Sequence, residues 1–144
     1  MPDQLFLGEK DRQQLLIIER MLQDFNLSSE LIAVPTLREA SGLAMSSRNQ
    51  YLSEADKRKA SNLFACMNDT ALLLNQAAAE IPQLELHALN QLKEQGFEPD
   101  YFKILCAKSL MPVTEHTQKV GVFVAAKLGR TRLIDNIVVE RTIG

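Results

Sequence analysis

Apolar residues fall into two different rhythms along the chain, and those rhythms mark out its elements. Between residues 10 and 25, Leu15, Ile18, Leu22 and Phe25 return at helical spacing, with Arg12, Glu19 and Gln23 turned outward. Short continuous apolar runs flank this helix. Leu5-Phe6-Leu7 precedes it and Leu31-Ile32 with Val34 follows it, predicting strands at about 4–7 and 30–34. Asn26 and Ser28-Ser29 end the helix, and Pro35 stops the second strand. The order strand, helix, strand predicts one β-α-β unit with parallel strands and a right-handed crossover. One such unit is too little for a doubly wound sheet, so further strands are expected from elsewhere.

The second rhythm begins at Ser53, a helix-start residue with Asp56 three positions on, close to a capping box. Ala60, Leu63, Phe64, Met67, Ala71 and Leu74 keep a helical period to about Ala79, while Glu54, Lys57, Arg58 and Lys59 face water. Pro82 suits the first turn of another helix carrying Leu84, Leu86, Leu89 and Leu92, which Gly96 closes. Three β-rich segments follow at 101–108, 120–128 and 131–140. Gly129-Arg130 between the last two reads as a two-residue hairpin turn. This predicts an α+β unit of two helices on a three-stranded antiparallel sheet. The division between the units is placed at 48/49, giving 1–48 and 49–144. There are no repeats and no low-complexity segments.

Candidate chemistry concentrates where the first unit meets the second. After the strand stopped by Pro35, a polar loop carries Gly42, the hydroxyls of Ser46 and Ser47, the Arg48 guanidinium and the Asn49 amide. Hydroxyls, free backbone N–H groups and one arginine between a strand and a helix suit phosphate oxygens. The bland alternative is a solvated Ser/Arg turn. A second stretch has the same design: Leu5-Phe6-Leu7, then Gly8-Glu9-Lys10-Asp11, then a helix start. Backbone amides and the helix dipole would face an anion there, with Lys10 as a mobile point charge. Two such sites joined by one helix are how a parallel sheet presents both halves of a nucleotide site.

Gly8-Glu-Lys-Asp-Arg-Gln-Gln14, Val34-Pro-Thr-Leu-Arg38, Gly42-Leu-Ala-Met-Ser-Ser-Arg-Asn49, Tyr51-Leu-Ser53 and Arg132-Leu-Ile-Asp-Asn136 together closely resemble the pantothenate synthetases (pantoate–β-alanine ligases). The resemblance runs over essentially all 144 residues, but to the C-terminal half of that family only. It implies an α/β fold class: a partial Rossmann-like nucleotidyltransferase β-α-β unit (the C-terminal part of a nucleotide-binding domain), then a small α+β lid domain. It also implies a reaction. Pantoate and ATP give pantoyl adenylate and pyrophosphate, and β-alanine then displaces AMP to form pantothenate.

Site roles follow from the same resemblance. Lys10 is implied to contact ATP phosphates, and Gly8 with Asp11 the ribose; Glu9 belongs to this ATP-binding stretch with no contact of its own assigned. Gln14, one helical turn past Lys10, is implied to hold pantoate, where an amide can donate and accept. The backbones of Leu37 and Met45 are implied to meet the adenine edge. Ser46, Ser47 and Arg48 resemble the counterpart of the KMSKS loop of class I tRNA synthetases. They are implied, with Lys10, to neutralise the triphosphate and leaving pyrophosphate as catalytic groups. Asn49 and Tyr51 are read as structural. Ser41 stands where the family usually has Asp before the loop glycine, so the hydroxyl is expected to cap the loop in place of a carboxylate. Leu7, in place of a frequent Phe, is a packing change. Arg132 with Asp135-Asn136 reads as a strand charge pair and strand-end polar groups.

The family's first half carries a HIGH-like segment with catalytic histidines, and these residues contain no such segment. The 144 residues alone are therefore expected to be inactive, with 45–52 as hinge and clamp of a lid. A non-catalytic nucleotide-binding or lid fragment, or one half of a split synthetase, is the competing class. A nucleotidyltransferase for another acid would need a different residue at Gln14 or a different first half. Mg²⁺ is implied to accompany ATP, with no metal ligands visible in this chain. Family members are usually dimers through contacts expected outside these residues.

Composition narrows the partners further. The chain is 46% hydrophobic and 24% charged with a net charge of −2, which argues against a broad nucleic-acid or anionic-membrane surface. No apolar run approaches the roughly 20 residues of a membrane span, and no leader pattern opens the sequence. A cytoplasmic location is expected. Cys66 and Cys106 are read as small core residues in a reducing compartment, and no metal site is expected. His87 and His116 lack partners at useful spacing and are read as structural or solvated.

Overall fold

The structure is a computed structural model that describes residues 3–75 and 80–141. It divides into two compact units, Met1–Leu37 and Arg38–Gly144, eleven positions before the 48/49 division read from the sequence. Arg38 is the physical reason. Its side chain bonds Asp135 near the other end of the chain, so the loop that carries it belongs to the second unit.

The first unit is β1 (Gln4–Gly8), a 3-10 turn (Glu9–Asp11), α1 (Arg12–Asp24) and β2 (Glu30–Val34). The strands pair in parallel, Gln4 against Glu30 through Gly8 against Val34, as the β-α-β reading requires. Leu15 and Leu22 of the α1 stripe are buried. Phe25, expected on the same stripe, is 71% exposed. It is the C-cap residue, beyond the last helical position, and no longer follows the helical period. Asn26 then turns the chain at positive φ, which asparagine tolerates better than most residues.

The second unit comprises α2 (Glu54–Leu74), α3 (Ile81–Glu94), β3 (Glu98–Cys106), β4 (Lys119–Leu128) and β5 (Thr131–Glu140) in an antiparallel sheet of order β3-β4-β5. Ser53 caps α2 by accepting the Asp56 N–H at 3.1 Å, as its position predicts. The helix closes at Leu74 on Asn75, whose N–H bonds the Leu73 carbonyl; residues 76–79, expected to be helical, lie outside the described residues. α3 opens with Pro82 in its first turn. It closes at Gly96 (φ 93), where Phe97 N–H returns to the Leu92 carbonyl at 3.0 Å. Leu86, expected on its apolar face, is 59% exposed, and Ala88 and Leu92 occupy the core instead.

β3 starts three residues earlier than predicted, because a register shift between Pro99 and Tyr101 lets a strand begin beside a proline. It ends two residues early, at a turn where Leu110 N–H bonds the Cys106 carbonyl. β4 and β5 join through Gly129-Arg130 with Leu128 paired to Thr131. Of the two turn residues only Gly129 takes positive φ (62°), which permits so short a hairpin. The core lies between this sheet and the two helices. Met67, Cys66, Leu92, Phe102, Ile104, Val120, Val122 and Val124 are all buried to within 2% of complete. No described helix is long and apolar enough to cross a membrane.

Candidate functional site

In the first unit the candidate residues follow one another along a single turn. Gly8 ends β1 in extended conformation, Glu9, Lys10 and Asp11 form the 3-10 turn, and α1 starts at Arg12. Gln14 is exposed on the first turn of α1; Lys10 lies before it in the 3-10 turn, and Asp11 between them leaves helical dihedrals (φ −95°, ψ 55°), so the two do not share one continuous helix. A strand-to-helix turn of this kind leaves the first backbone N–H groups of the helix pointing out of the end of the sheet. Leu37 closes the unit and is 70% exposed.

In the second unit the loop 38–52 is held by its buried parts, and its exposed parts carry the chemistry. Arg38 is the anchor. Its two terminal nitrogens bond the two Asp135 carboxylate oxygens at 2.6 and 2.8 Å, and one also bonds the Gly42 carbonyl at 3.1 Å. The guanidinium lies 4.0 Å from the Phe64 ring centroid. Asp135 retains 2% side-chain exposure and Arg38 18%, so both charges depend on this bidentate pair. Gly42 takes φ 94°, and a Cβ there would sit 2.5 Å from a Phe64 ring carbon; only glycine fits. Ser41 Oγ accepts the Leu43 N–H at 3.4 Å, the capping role expected of it, at the long end of the range.

The loop then presents Met45 (52% exposed), Ser46, Ser47 and Arg48. Ser46 Oγ accepts the Arg48 N–H at 3.2 Å and starts a 3-10 turn, Ser47–Tyr51. Asn49 is buried and donates to the Ala44 carbonyl at 3.0 Å, bearing out its structural reading; its Oδ1 has no hydrogen-bond partner among the described residues. The hydroxyl of Ser47 and the Arg48 side chain stay at the surface.

A cavity of about 760 Å³ opens beside this turn, wholly within the second unit. It is lined by Arg48 and Tyr51 of the turn, Asp56 of α2, and Arg130, Thr131 and Arg132 of the β4–β5 hairpin. Arg48 Nη1 donates to the Arg132 carbonyl at 3.3 Å, so the turn already leans on the hairpin. Tyr51 corrects the sequence reading: at 74% exposure it lines the cavity and supports no core. The sequence marks Arg130 only as a turn residue, and nothing in its local pattern points to a cavity wall.

The RLIDN stretch also differs from its reading as a pair of its own. Arg132 and Asp135 do not bond each other. Arg132 Nε bonds Asp100 of β3 at 2.7 Å, and Asp135 faces the core and binds Arg38. Three positions apart on a strand, they point to opposite faces. Among the described residues no group of three His, Cys, Asp or Glu side chains is placed to hold a metal ion. His87 and His116 are exposed, as expected. Cys66 is fully buried, and burial raises its thiol pKa to about 11. Cys106, expected in the core, is only partly covered at the end of β3. Hydrogen bonds from Ser109 and Lys108 pull its pKa below the ordinary value.

Comparison with known proteins extends over this whole arrangement. The family profile described as pantoate-beta-alanine ligase matches residues 1–138. A pantothenate synthetase of Shewanella loihica is 43% identical over 140 residues, 97% of this chain and 49% of that protein. One of Marinobacter nauticus is 42% identical over 97% of this chain and 50% of its own. Among solved structures, a pantothenate synthetase of Thermus thermophilus superposes with a TM-score of 0.84 at 34% identity, covering 94% of this chain and 49% of that one. A pantoate-beta-alanine ligase of Francisella tularensis, complexed with beta-gamma ATP and beta-alanine, gives a TM-score of 0.65 at 28% identity. The chain spans about half the length of the curated relatives it matches.

Proposed function

The chain belongs to the pantoate-beta-alanine ligase family, and from that membership we propose that it supplies the ATP-facing part of a pantothenate synthetase. The reaction is the AMP-forming condensation of (R)-pantoate with β-alanine. Pantoate carboxylate attacks the α-phosphorus of ATP, the bond to the bridging oxygen breaks, and pyrophosphate leaves. The β-alanine amine then attacks the acyl carbon of the adenylate and AMP departs with the electron pair. The observation that carries this reading is the match over residues 1–138. The surface turn Ser47–Tyr51, held on a buried Arg38–Asp135 anchor, supports it.

In this reading Lys10, Ser46, Ser47 and Arg48 neutralise the triphosphate and the charge that moves onto the leaving group. Gly8 and Asp11 contact the ribose, Glu9 belongs to the same ATP-binding stretch without a contact assigned, the backbones of Leu37 and Met45 meet the base, and Gln14 orients pantoate. Positioning and exclusion of water do the rest, since an acyl adenylate needs no covalent help from the protein. Mg²⁺ would travel with ATP and screen its phosphates; the described residues offer no ligand set for it, and no step is assigned to it. Functionally, 1–48 belongs to the nucleotide-binding domain and 49–144 acts as the lid. We place the enzyme in the cytoplasm and expect a homodimer, with small-molecule substrates and neither nucleic acid nor membrane as partner.

The 144 residues by themselves are proposed to be inactive, because the catalytic histidines of the family reading are not among them. The test is AMP formation with ATP, Mg²⁺ and pantoate, with and without β-alanine, beside Lys10→Ala. β-Alanine-dependent AMP that disappears in the variant would show that these residues suffice and overturn the inactivity. Turnover appearing only when the first half of a relative is added in trans would identify a split enzyme. None in either case would leave a nucleotide-binding lid.

A further inference from the structure

We infer that the cavity between the Ser47–Tyr51 turn and the β4–β5 hairpin is a subsite for inorganic pyrophosphate, and that Arg130 is its principal binding group. Three guanidinium groups (Arg48, Arg130 and Arg132) line it with Asp56, and Asp100 pairs with Arg132 at 2.7 Å, so positive charge exceeds negative by one. The chain as a whole carries a net charge of −2 with acidic and basic residues mixed, so this concentration is local.

The three arginines are not equally committed. Arg132 spends its Nε on Asp100 at 2.7 Å. Arg48 uses one terminal nitrogen in a 3.3 Å bond to the Arg132 carbonyl. Arg130 forms no hydrogen bond or ion pair among the described residues, and it is exposed at the hairpin tip. The tight turn fixes its backbone: Gly129 takes the positive φ that would strain another residue, and Leu128 pairs with Thr131 on either side. With the backbone so fixed, the unbonded guanidinium keeps its whole planar fork of donors available, so an anion with several oxygens can take two at once. Tyr51, which also lines the cavity, carries a phenolic hydroxyl able to donate or accept.

Pyrophosphate is favoured over other anions on three grounds. The volume of about 760 Å³ exceeds the needs of a lone carboxylate or chloride and accommodates a hydrated diphosphate. Separated guanidinium groups match an ion with charge at both ends. Arg48 borders both this cavity and the Ser46–Ser47 loop, so an ion released at that loop would pass directly into the cavity. This last ground rests on the adenylate-forming reading; charge and volume do not.

The experiment is calorimetric titration of inorganic pyrophosphate into the 144-residue chain, with orthophosphate and AMP as parallel ligands. Pyrophosphate should bind saturably and more tightly than orthophosphate. Arg130→Gln, a change at an exposed turn position, should weaken it roughly tenfold, the effect of losing a hydrogen bond to a charged group. Arg20→Gln, which removes the same charge from α1, should not change it. AMP has no diphosphate, so Arg130→Gln should leave its binding alone. Asp56→Asn should tighten pyrophosphate binding by roughly threefold through removal of a like charge. Equal pyrophosphate affinity in the parent and Arg130→Gln, a loss shared by Arg20→Gln, or weakening by Asp56→Asn would overturn the assignment. Because no turnover is needed, a chain that binds pyrophosphate through Arg130 but forms no AMP even with the first half of a relative supplied in trans would refute only the synthetase reading. AMP formation with an unchanged Arg130→Gln would refute only the subsite.

Discussion

The second unit closes its own core: all three strands and both helices contribute buried apolar side chains to one cluster. The first unit, cut from the same chain, buries only Leu15 and Leu22 among its described hydrophobic residues. It leaves Phe6 63%, Ile17 66% and Phe25 71% exposed. The difference is one of sheet type. An antiparallel sheet can pack helices on one face and stand in water on the other, whereas a parallel pair is ordinarily covered on both faces. β1 and β2 have one helix between them and too few neighbours to reach that condition. Local sequence therefore determines the first unit's elements but not its stability, while in the second unit both come from the same residues.

The largest test of that contrast is to separate the units. Residues 38–144 alone should give a cooperative thermal transition and dispersed amide resonances. Residues 1–37 alone should give neither, being below the size at which chains without staples usually fold. A cooperative transition in the short piece would remove the distinction.

A finer test compares ion pairs. Asp135→Asn leaves Arg38 without its carboxylate in a nearly buried site and should cost about 3–5 kcal/mol in urea unfolding. Arg20→Gln breaks the exposed Arg20–Asp24 pair on α1 and should stay within about 0.5 kcal/mol. Equal effects would mean that the Arg38 anchor is no more than a surface contact.

The smallest test uses the two thiols of the second unit. At neutral pH iodoacetamide should modify Cys106, whose pKa is lowered, and leave Cys66 until the protein unfolds. Cys66 is raised when folded, so its stabilising effect is complete below its ordinary value near 9. It is lost as pH climbs toward about 11, and unfolding free energy should fall over that interval. Modification of Cys66 first would contradict its place in the core.

Much of this architecture was legible from periodicity. The β-α-β order, both helices of the second unit, the Ser53 cap and the Gly129 turn all depend on residues within a few positions of each other, which is the range a pattern can report. What was not legible depends on distance. Arg38 meets Asp135 across 97 positions, and Arg132 meets Asp100 across 32, so neither pair leaves a local trace. The exposures of Phe25 and Leu86 were missed because a helical stripe does not say where the helix stops or which part of it is covered. The motif residues Ser46–Arg48 could be found from their resemblance. Tyr51 and Arg130 could not be found as cavity walls, since a cavity is formed by a turn and a hairpin that approach only after folding.

The Arg38–Asp135 bond also bears on the order in which the second unit assembles. The β4–β5 hairpin can close early, because its two strands are neighbours in sequence and only two residues lie between them. The anchor has no such shortcut. Asp135 occupies a fixed place only once β5 has joined the sheet, and a contact spanning 97 positions must wait for the long loop between its partners to close. The stretch that presents Ser46, Ser47 and Arg48 thus takes its shape late, borrowing rigidity from a sheet it did not help to build. By the same logic it is among the first parts of the unit to let go.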